Sequence, residues 1–294
     1  MVQIKSYLSH LVMRLNVIEE KMMALLDLST IKEFRNDPNS MFYSVSPHYY
    51  FADGDESQTR IQAELAEIFA EWVEHIHLLT QNLPSNKKRE IKQLEGSVVK
   101  WIDRTGGLWE LPANIDDAKK VFSTEIKSYR ELLSLLVGEN PEDYVFVPDT
   151  NALIETPDIT AYRHYFGDIP YSVVITPTVT SELDRLKVVH RDDKFRDKVN
   201  AVIKRIKGWR GQGSLSQGVT VDKIITLKSV ANEPDFDNTL SWLDKNNDDD
   251  KLLASALELQ RKNLGSIIIL VTSDINLQNK AELANFPYLE TPDS

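Results

Sequence analysis

From Tyr144 onward, short β-branched runs alternate with stretches of helical periodicity, a pattern that few architectures accommodate. The runs are YVFV, SVVIT, GVTVDKIITL, SIIILVT and a last short one at YLE. Strands this short and this uniformly apolar are buried on both faces. The alternation therefore implies a parallel central sheet with helices on either side, a three-layer α/β arrangement. In such a sheet the crevice lies beyond the carboxyl ends of the strands, where acids delivered by separate strands can converge on one point.

The first run ends at a carboxylate. In YVFVPDTNALIE, Asp149 closes the strand and the chain continues as the start of a helix. Asp274 follows the fourth run through Thr272 and Ser273, and Glu182 lies on the first turn of the helix after the second run, in PTVTSELDRLK. Asp250 opens the helix KLLASALEL, whose Leu253, Ala256 and Leu257 would pack on the sheet and aim the N-terminal turn at the crevice. Asp249 is the alternative in this position, because Asp248, Asp249 and Asp250 run together. Taken singly, each acid has a structural explanation as a helix cap or a first-turn carboxylate. Their shared placement at strand ends favours a single site.

Clustered carboxylates repel one another unless a divalent cation neutralises them. With no cysteine in the chain and no suitable histidine, the oxygen donors call for a hard ion, Mg²⁺ or Mn²⁺. Such ions keep waters and bind phosphate, which suits phosphodiester hydrolysis assisted by one ion at the attacking water and another at the leaving oxygen. Asn151 is placed to orient Asp149 or a water. Thr272 or Ser273 could bond a phosphate or the neighbouring carboxylates, and Asn276 is expected to cap the last helix. A basic stretch runs from Arg185 to Arg210, and Arg185 and Lys187 are the substrate contacts expected from it, because they are closest to Glu182. The alternative for this stretch is a solvated helix face paired with Asp192, Asp193 and Asp197.

Upstream the texture is helical. Ile4, Leu8, Leu11, Val12, Leu15, Ile18 and Met22 recur at spacings of three and four, and Ile61, Leu65, Ile68, Phe69, Trp72, Val73 and Ile76 give the clearest stripe in the chain. Two further helices are expected over 84–103, entered through Ser85, and over 116–137, with Phe122, Ile126, Tyr129, Leu133 and Leu136 on one face. Residues 37–56, with Phe42, Tyr49, Tyr50 and Phe51, read as an irregular loop packed by its aromatics, and TGGLWELP as a second loop. The reading is an all-α domain over 1–138, bounded by the turn signal Gly138–Pro141, and an α/β domain over 139–294. The helical part has the features of a regulatory, partner-binding or self-associating module.

The net charge of −11 and pI of about 5.1 argue against a protein that coats nucleic acid or anionic membrane through bulk charge. The absence of cysteine makes the cytoplasm the default compartment, and the charge-interrupted N-terminus reads as neither signal peptide nor membrane span. A Walker loop, a Gly-x-Gly-x-x-Gly turn and a Gly-x-Ser-x-Gly elbow are all missing. His75 and His77, two residues apart on a helix, diverge too far to share a metal.

At this level the C-terminal half resembles the PIN-domain nucleases. The resemblance rests on VFVPDTNALI, VITPTVTSELDRLK, NDDDKLLASALEL and ILVTSDINLQNKAELANFPYL, four motifs in the family's order over residues 144–290. It implies a parallel sheet between helices and Mg²⁺- or Mn²⁺-dependent endonucleolytic cleavage of single-stranded RNA, less often DNA. Asp149, Glu182, Asp250 and Asp274 fall on the family's four acidic positions. A catalytically silent PIN-like binding module is the alternative from another functional class.

Overall fold

The structure, a computed structural model, describes residues 5–34, 48–104, 111–134 and 143–292. Ile4, Leu136, the loop expectation around Phe42, most of TGGLWELP and the Gly138–Pro141 turn lie outside the described residues. The chain divides into two compact units, Leu11–Leu136 and a second made of Met1–His10 with Val137–Ser294.

The first unit is built on α1 (Tyr7–Asp27), α2 (Glu56–Thr80), α3 (Ser85–Asp103) and α4 (Ile115–Ser134). The apolar stripes become its core: Leu11, Leu15, Ile18, Leu65, Trp72, Ile76, Phe122, Ile126 and Tyr129 are all buried. Trp72 combines both requirements of a buried indole, donating its ring N–H to the Leu11 carbonyl at 2.8 Å and meeting the Tyr129 ring edge-on at 5.0 Å. Helix α2 starts with a reciprocal capping box, Asp55 accepting from the Gln58 backbone while the Gln58 side chain accepts from the Asp55 N–H. Two local expectations are corrected. Ser85 is the first residue of α3, not its cap, the preceding Pro84 holding the cap position. The unit also carries a two-stranded antiparallel ribbon, β1 (Ile31–Phe34) and β2 (His48–Phe51), so residues 48–51 are strand and not irregular loop. Aromatic residues at 49–51 favour a pleated, half-buried surface, a preference that outweighed the surrounding turn formers.

The second unit is a six-stranded sheet flanked by helices. Its elements in chain order are β3 (Tyr144–Pro148), α5 (Thr150–Glu155), α6 (Arg163–Phe166), β4 (Tyr171–Ile175), α7 (Pro177–Val189), α8 (Asp193–Arg210), β5 (Val219–Asp222), β6 (Ile225–Ser229), α9 (Asp248–Lys262), β7 (Ile267–Val271), α10 (Ile275–Leu283) and β8 (Tyr288–Leu289). The spatial order is β5-β6-β4-β3-β7-β8, parallel throughout except for β5. Expected as one run, GVTVDKIITL instead folds back on itself as the β5–β6 hairpin. The turn Asp222–Lys223–Ile224 reverses the chain, and β5 closes one edge of the sheet.

This order decides where a site can form. From β3 the chain moves outward through β4 to β6, then crosses back to place β7 on the other side of β3. The direction of winding thus reverses between β3 and β7, and their carboxyl ends flank the crevice of the switch point. Strand β3 is held from below by Phe146, fully buried, whose ring lies 5.2 to 5.8 Å from those of Tyr162, Tyr165, Phe166 and Tyr171. On α9, Leu253, Ala256 and Leu257 are buried and the helix packs against β7, as the sequence pattern expects.

Candidate active site

Asp149 leaves the end of β3 directly at the switch point. Its backbone N–H continues the β3–β7 ladder by donating to the Val271 carbonyl at 3.0 Å, which fixes the start of its side chain. The carboxylate caps α5, accepting the Ala152 N–H at 2.6 Å through Oδ1, and accepts the Thr272 hydroxyl through Oδ2. Capping and site membership, alternatives at the level of sequence, are thus compatible in one residue. Asp149 is only 7% exposed. Burial is the main reason its carboxyl is pushed up to about 6; the Thr272 and Ala152 hydrogen bonds oppose the rise, and the charges of Asp274 and Glu155 add to it.

Thr272 ties two of the acids together. Fully buried just after β7, it donates a hydroxyl hydrogen bond to Asp149 and accepts the Asp274 backbone N–H at 3.0 Å. Of the two partners expected for its hydroxyl, a phosphate or the neighbouring carboxylates, the structure shows the Asp149 carboxylate. Ser273 is exposed and accepts the Thr291 N–H at 3.3 Å. Asp274 is the cap of α10, accepting from the N–H groups of Asn276 and Leu277 at 2.7 and 3.3 Å. Asn276 is expected in that role from the sequence; it lies two residues past the cap, and its amide reaches Asp249 Oδ2 at 2.9 Å instead.

Glu182 on α7 accepts the Thr150 hydroxyl at 2.7 Å, so the residue after Asp149 orients the second acid. Arg185, one turn on, lies 3.3 Å from Glu182 and 3.2 Å from Asp248. It bridges α7 to the start of α9, and its guanidinium is committed to carboxylates as well as being more than half exposed. Asn151 and Lys187 are exposed. Farther along the basic stretch, Arg196 pairs with Asp193 and Arg205 lies 3.9 Å from Asp158.

The N-terminal turn of α9 is the most elaborated part. Asn247 caps the helix, accepting from the Asp249 and Asp250 N–H groups at 3.0 and 3.2 Å. Asp248 turns outward to Lys251 and Arg185; the Lys251 hydrogen bond chiefly holds its carboxyl below the usual carboxylate range. Asp250 is buried and accepts the Asp244 N–H at 2.9 Å. Asp249 is half-buried and faces α10. Both carboxylates meet Lys280 of α10, at 2.8 Å for Asp250 and 3.3 Å for Asp249. Burial alone would lower the Lys280 ammonium, but the two aspartates outweigh it and hold it above its ordinary value.

Three partners escaped the sequence reading: Thr150, Asn276 in its bridging role, and Lys280. A signal for the last two was present, since positions 276 and 280 are four apart on a helix and so share the face turned toward α9. Hydrogen bonds and ion pairs link Asp149, Asp274, Asp249 and Asp250 through Thr272, Asn276 and Lys280, and separately link Glu182 and Asp248 through Arg185. Among the described residues, however, no three His, Asp or Glu side chains already stand close enough to enclose a metal.

Comparison with known families matches residues 146–290 to the PIN domain. The C-terminal half of the chain is a PIN domain. The fold is that of a family whose members are typically metal-dependent nucleases, and the match spans the acidic positions from Asp149 to Asp274. No curated protein matches the chain. Among the described residues no helix is long and apolar enough to cross a membrane.

The chemistry of the acids fits a hard divalent ion. Asp149 is a buried carboxylate whose hydrogen-bond partners, the Ala152 N–H and the Thr272 hydroxyl, are neutral and whose charge is disfavoured by burial and by Asp274. A cation at this point would reverse both penalties.

Proposed function

We propose that this PIN domain is a Mg²⁺- or Mn²⁺-dependent endoribonuclease that hydrolyses phosphodiester bonds of single-stranded RNA. One observation carries the reading: a buried carboxylate, Asp149, held at the switch point of the sheet by Thr272, with Asp274 attached to the same threonine. Asp149 and Asp274 would hold the ion, with Glu182 and the Asp249–Asp250 pair completing the acidic rim. A bound divalent ion supplies neutralisation of phosphate charge and acidification of water. The chain's own residues then have distinct parts. Thr272 fixes the rotamer of Asp149, Thr150 fixes that of Glu182, and the exposed Asn151 and Lys187 face arriving substrate.

The helical part, residues 1–138 in this reading, serves recruitment, regulation or self-association, and the chemistry belongs to 139–294. In support, the two helical-unit histidines closest in sequence are engaged separately, His77 with Glu95 at 2.8 Å and His75 in the core. A cytoplasmic setting rests on the absence of cysteine.

The test is cleavage of single-stranded RNA with Mg²⁺ or Mn²⁺ by wild type, Asp149→Asn and Asp274→Asn, with single-stranded DNA in parallel. Cleavage lost in both variants supports the assignment, and equal cleavage by all three refutes it. A silent binding module is the second reading, favoured by the intrachain cations Arg185 and Lys280 on the acidic rim. It predicts no stabilisation by Mn²⁺, whereas the enzyme is stabilised by it through linkage.

A further inference from the structure

We propose that Lys280 is an internal cation that takes the place of a divalent ion at the Asp249–Asp250 corner, so that the PIN domain binds one divalent ion and not two. The number of ions rests on the metal dependence proposed above; the role of Lys280 at its own corner does not.

The ammonium of Lys280 has three donors, and three acceptors surround it: Asp250 Oδ1 at 2.8 Å, Asp249 Oδ2 at 3.3 Å and Asn247 Oδ1 at 3.0 Å. All three belong to the first turn of α9 or its cap. The side chain of Lys280 is 18% exposed and that of Asp250 8%, so the pair lies largely out of water. A carboxylate there needs a cation, and the chain supplies one. The remaining oxygen of Asp250 is also engaged, by the Asp244 N–H at 2.9 Å. Asn276, on the same face of α10 as Lys280, adds a donor to Asp249. This corner therefore holds a cation of its own, which offsets one of its two carboxylate charges through the 2.8 Å ion pair with Asp250.

The Asp149–Asp274 side is the opposite case. The partners of Asp149 are a hydroxyl and an amide, and those of Asp274 are amides; none carries charge. Among the described residues, no lysine, arginine or histidine pairs with either carboxylate on this side of the crevice. Arg185, the other cation on the rim, differs from Lys280 in being 56% exposed, and it contacts Asp248 and Glu182, neither of them at this corner. Lys280 is thus a positioning residue: it hydrogen-bonds Asn247 and Asp249 and ion-pairs with Asp250, and so holds the α9 turn in register with α10 while excluding a second ion.

The test is Mn²⁺ stoichiometry on the full chain, read from the electron paramagnetic resonance of free Mn²⁺, with thermal melting in parallel. Wild type and Lys280→Arg, which keeps the charge, are expected to bind one ion. Lys280→Met, which keeps the apolar stem, is expected to bind two, and to melt several degrees below wild type without metal and regain that loss in Mn²⁺. Two ions on wild type, or no additional ion on Lys280→Met, would overturn the proposal. No ion on wild type with one on Lys280→Met would leave Lys280 as the cation of its corner and remove the Asp149–Asp274 ion, separating failure of the metal-dependence reading from failure of this one. If Lys280→Met is unfolded without metal, folding on addition of Mn²⁺ supports the proposal, and remaining unfolded at every Mn²⁺ concentration overturns it.

Discussion

Replacing Asp149 by asparagine removes a buried negative charge while preserving shape, and should make the metal-free protein more stable. Burial is the leading cause that raises the Asp149 carboxyl from 3.8 to about 6. At 1.36 kcal/mol per unit, a difference of roughly 2 units costs the ionised native state about 3 kcal/mol. The sign follows from the raised folded-state value. Stability from this group is fully present below pH 3.8 and is lost as pH rises through about 6, because the native state then gives up a proton that it holds more tightly than the unfolded chain does. The asparagine carbonyl can keep the Ala152 N–H, but its amide must reverse the Thr272 hydrogen bond, which returns about 1 kcal/mol of the gain. The net expectation is a gain of roughly 1–3 kcal/mol at pH 8, a few degrees in melting temperature, shrinking to zero near pH 4. Calorimetric melts in a chelating buffer across pH 4–8 measure it. Adding Mn²⁺ should stabilise wild type and leave Asp149→Asn unmoved. A variant that is less stable than wild type at pH 8, or whose advantage does not depend on pH, would refute the argument that Asp149 is a charge held without a counter-ion.

Two further outcomes are expected. Thr272→Val keeps the volume of a fully buried side chain but deprives both Asp149 and the Asp274 N–H of a partner; it should cost about 1–3 kcal/mol in denaturant melts and reduce cleavage. The helical unit should respond to acid in the opposite sense from Asp149. Burial, assisted by Arg14, lowers His75 to about 4, so the stability it contributes is present above pH 6.5 and falls by about 3 kcal/mol as pH drops through 4. Hydrogen exchange of α2 should show this loss, and His75→Gln should abolish it.

The parts of the fold set by periodicity were legible. The stripes of α1 to α4 became buried faces, and the runs after Tyr144 became β3, β4, β6, β7 and β8 of a largely parallel sheet. The features that were not legible depend on chain reversals or on partners distant in sequence. In GVTVDKIITL the apolar alternation of Val219 and Val221 resumes in the same phase at Ile225 and Leu227, so the interruption at Asp222 and Lys223 reads as easily as part of one strand as of a tight hairpin. Residues 48–51 became strand only by pairing with 31–34, across a gap that local propensity does not see. In the site, the acids are at strand and helix ends, where topology alone places them near one another. Their supports are not. Thr150 finds Glu182 across 32 positions and Thr272 finds Asp149 across 123, through contacts made only once the sheet has assembled. Asn276 illustrates a local ambiguity: an asparagine near a helix start resembles a cap, and only the position of Asp274 at the N-cap frees it to reach Asp249.

Cleavage of a circular single-stranded RNA by the full chain in Mn²⁺ tests the central claim most directly, because a circle has no ends and reports endonucleolytic scission alone. Linearisation by wild type, loss by at least a hundredfold in Asp149→Asn, and equal loss in Asp274→Asn are the predicted results. Linearisation by Asp149→Asn at the wild-type rate would contradict the account, since it would place the chemistry somewhere other than the crevice between β3 and β7.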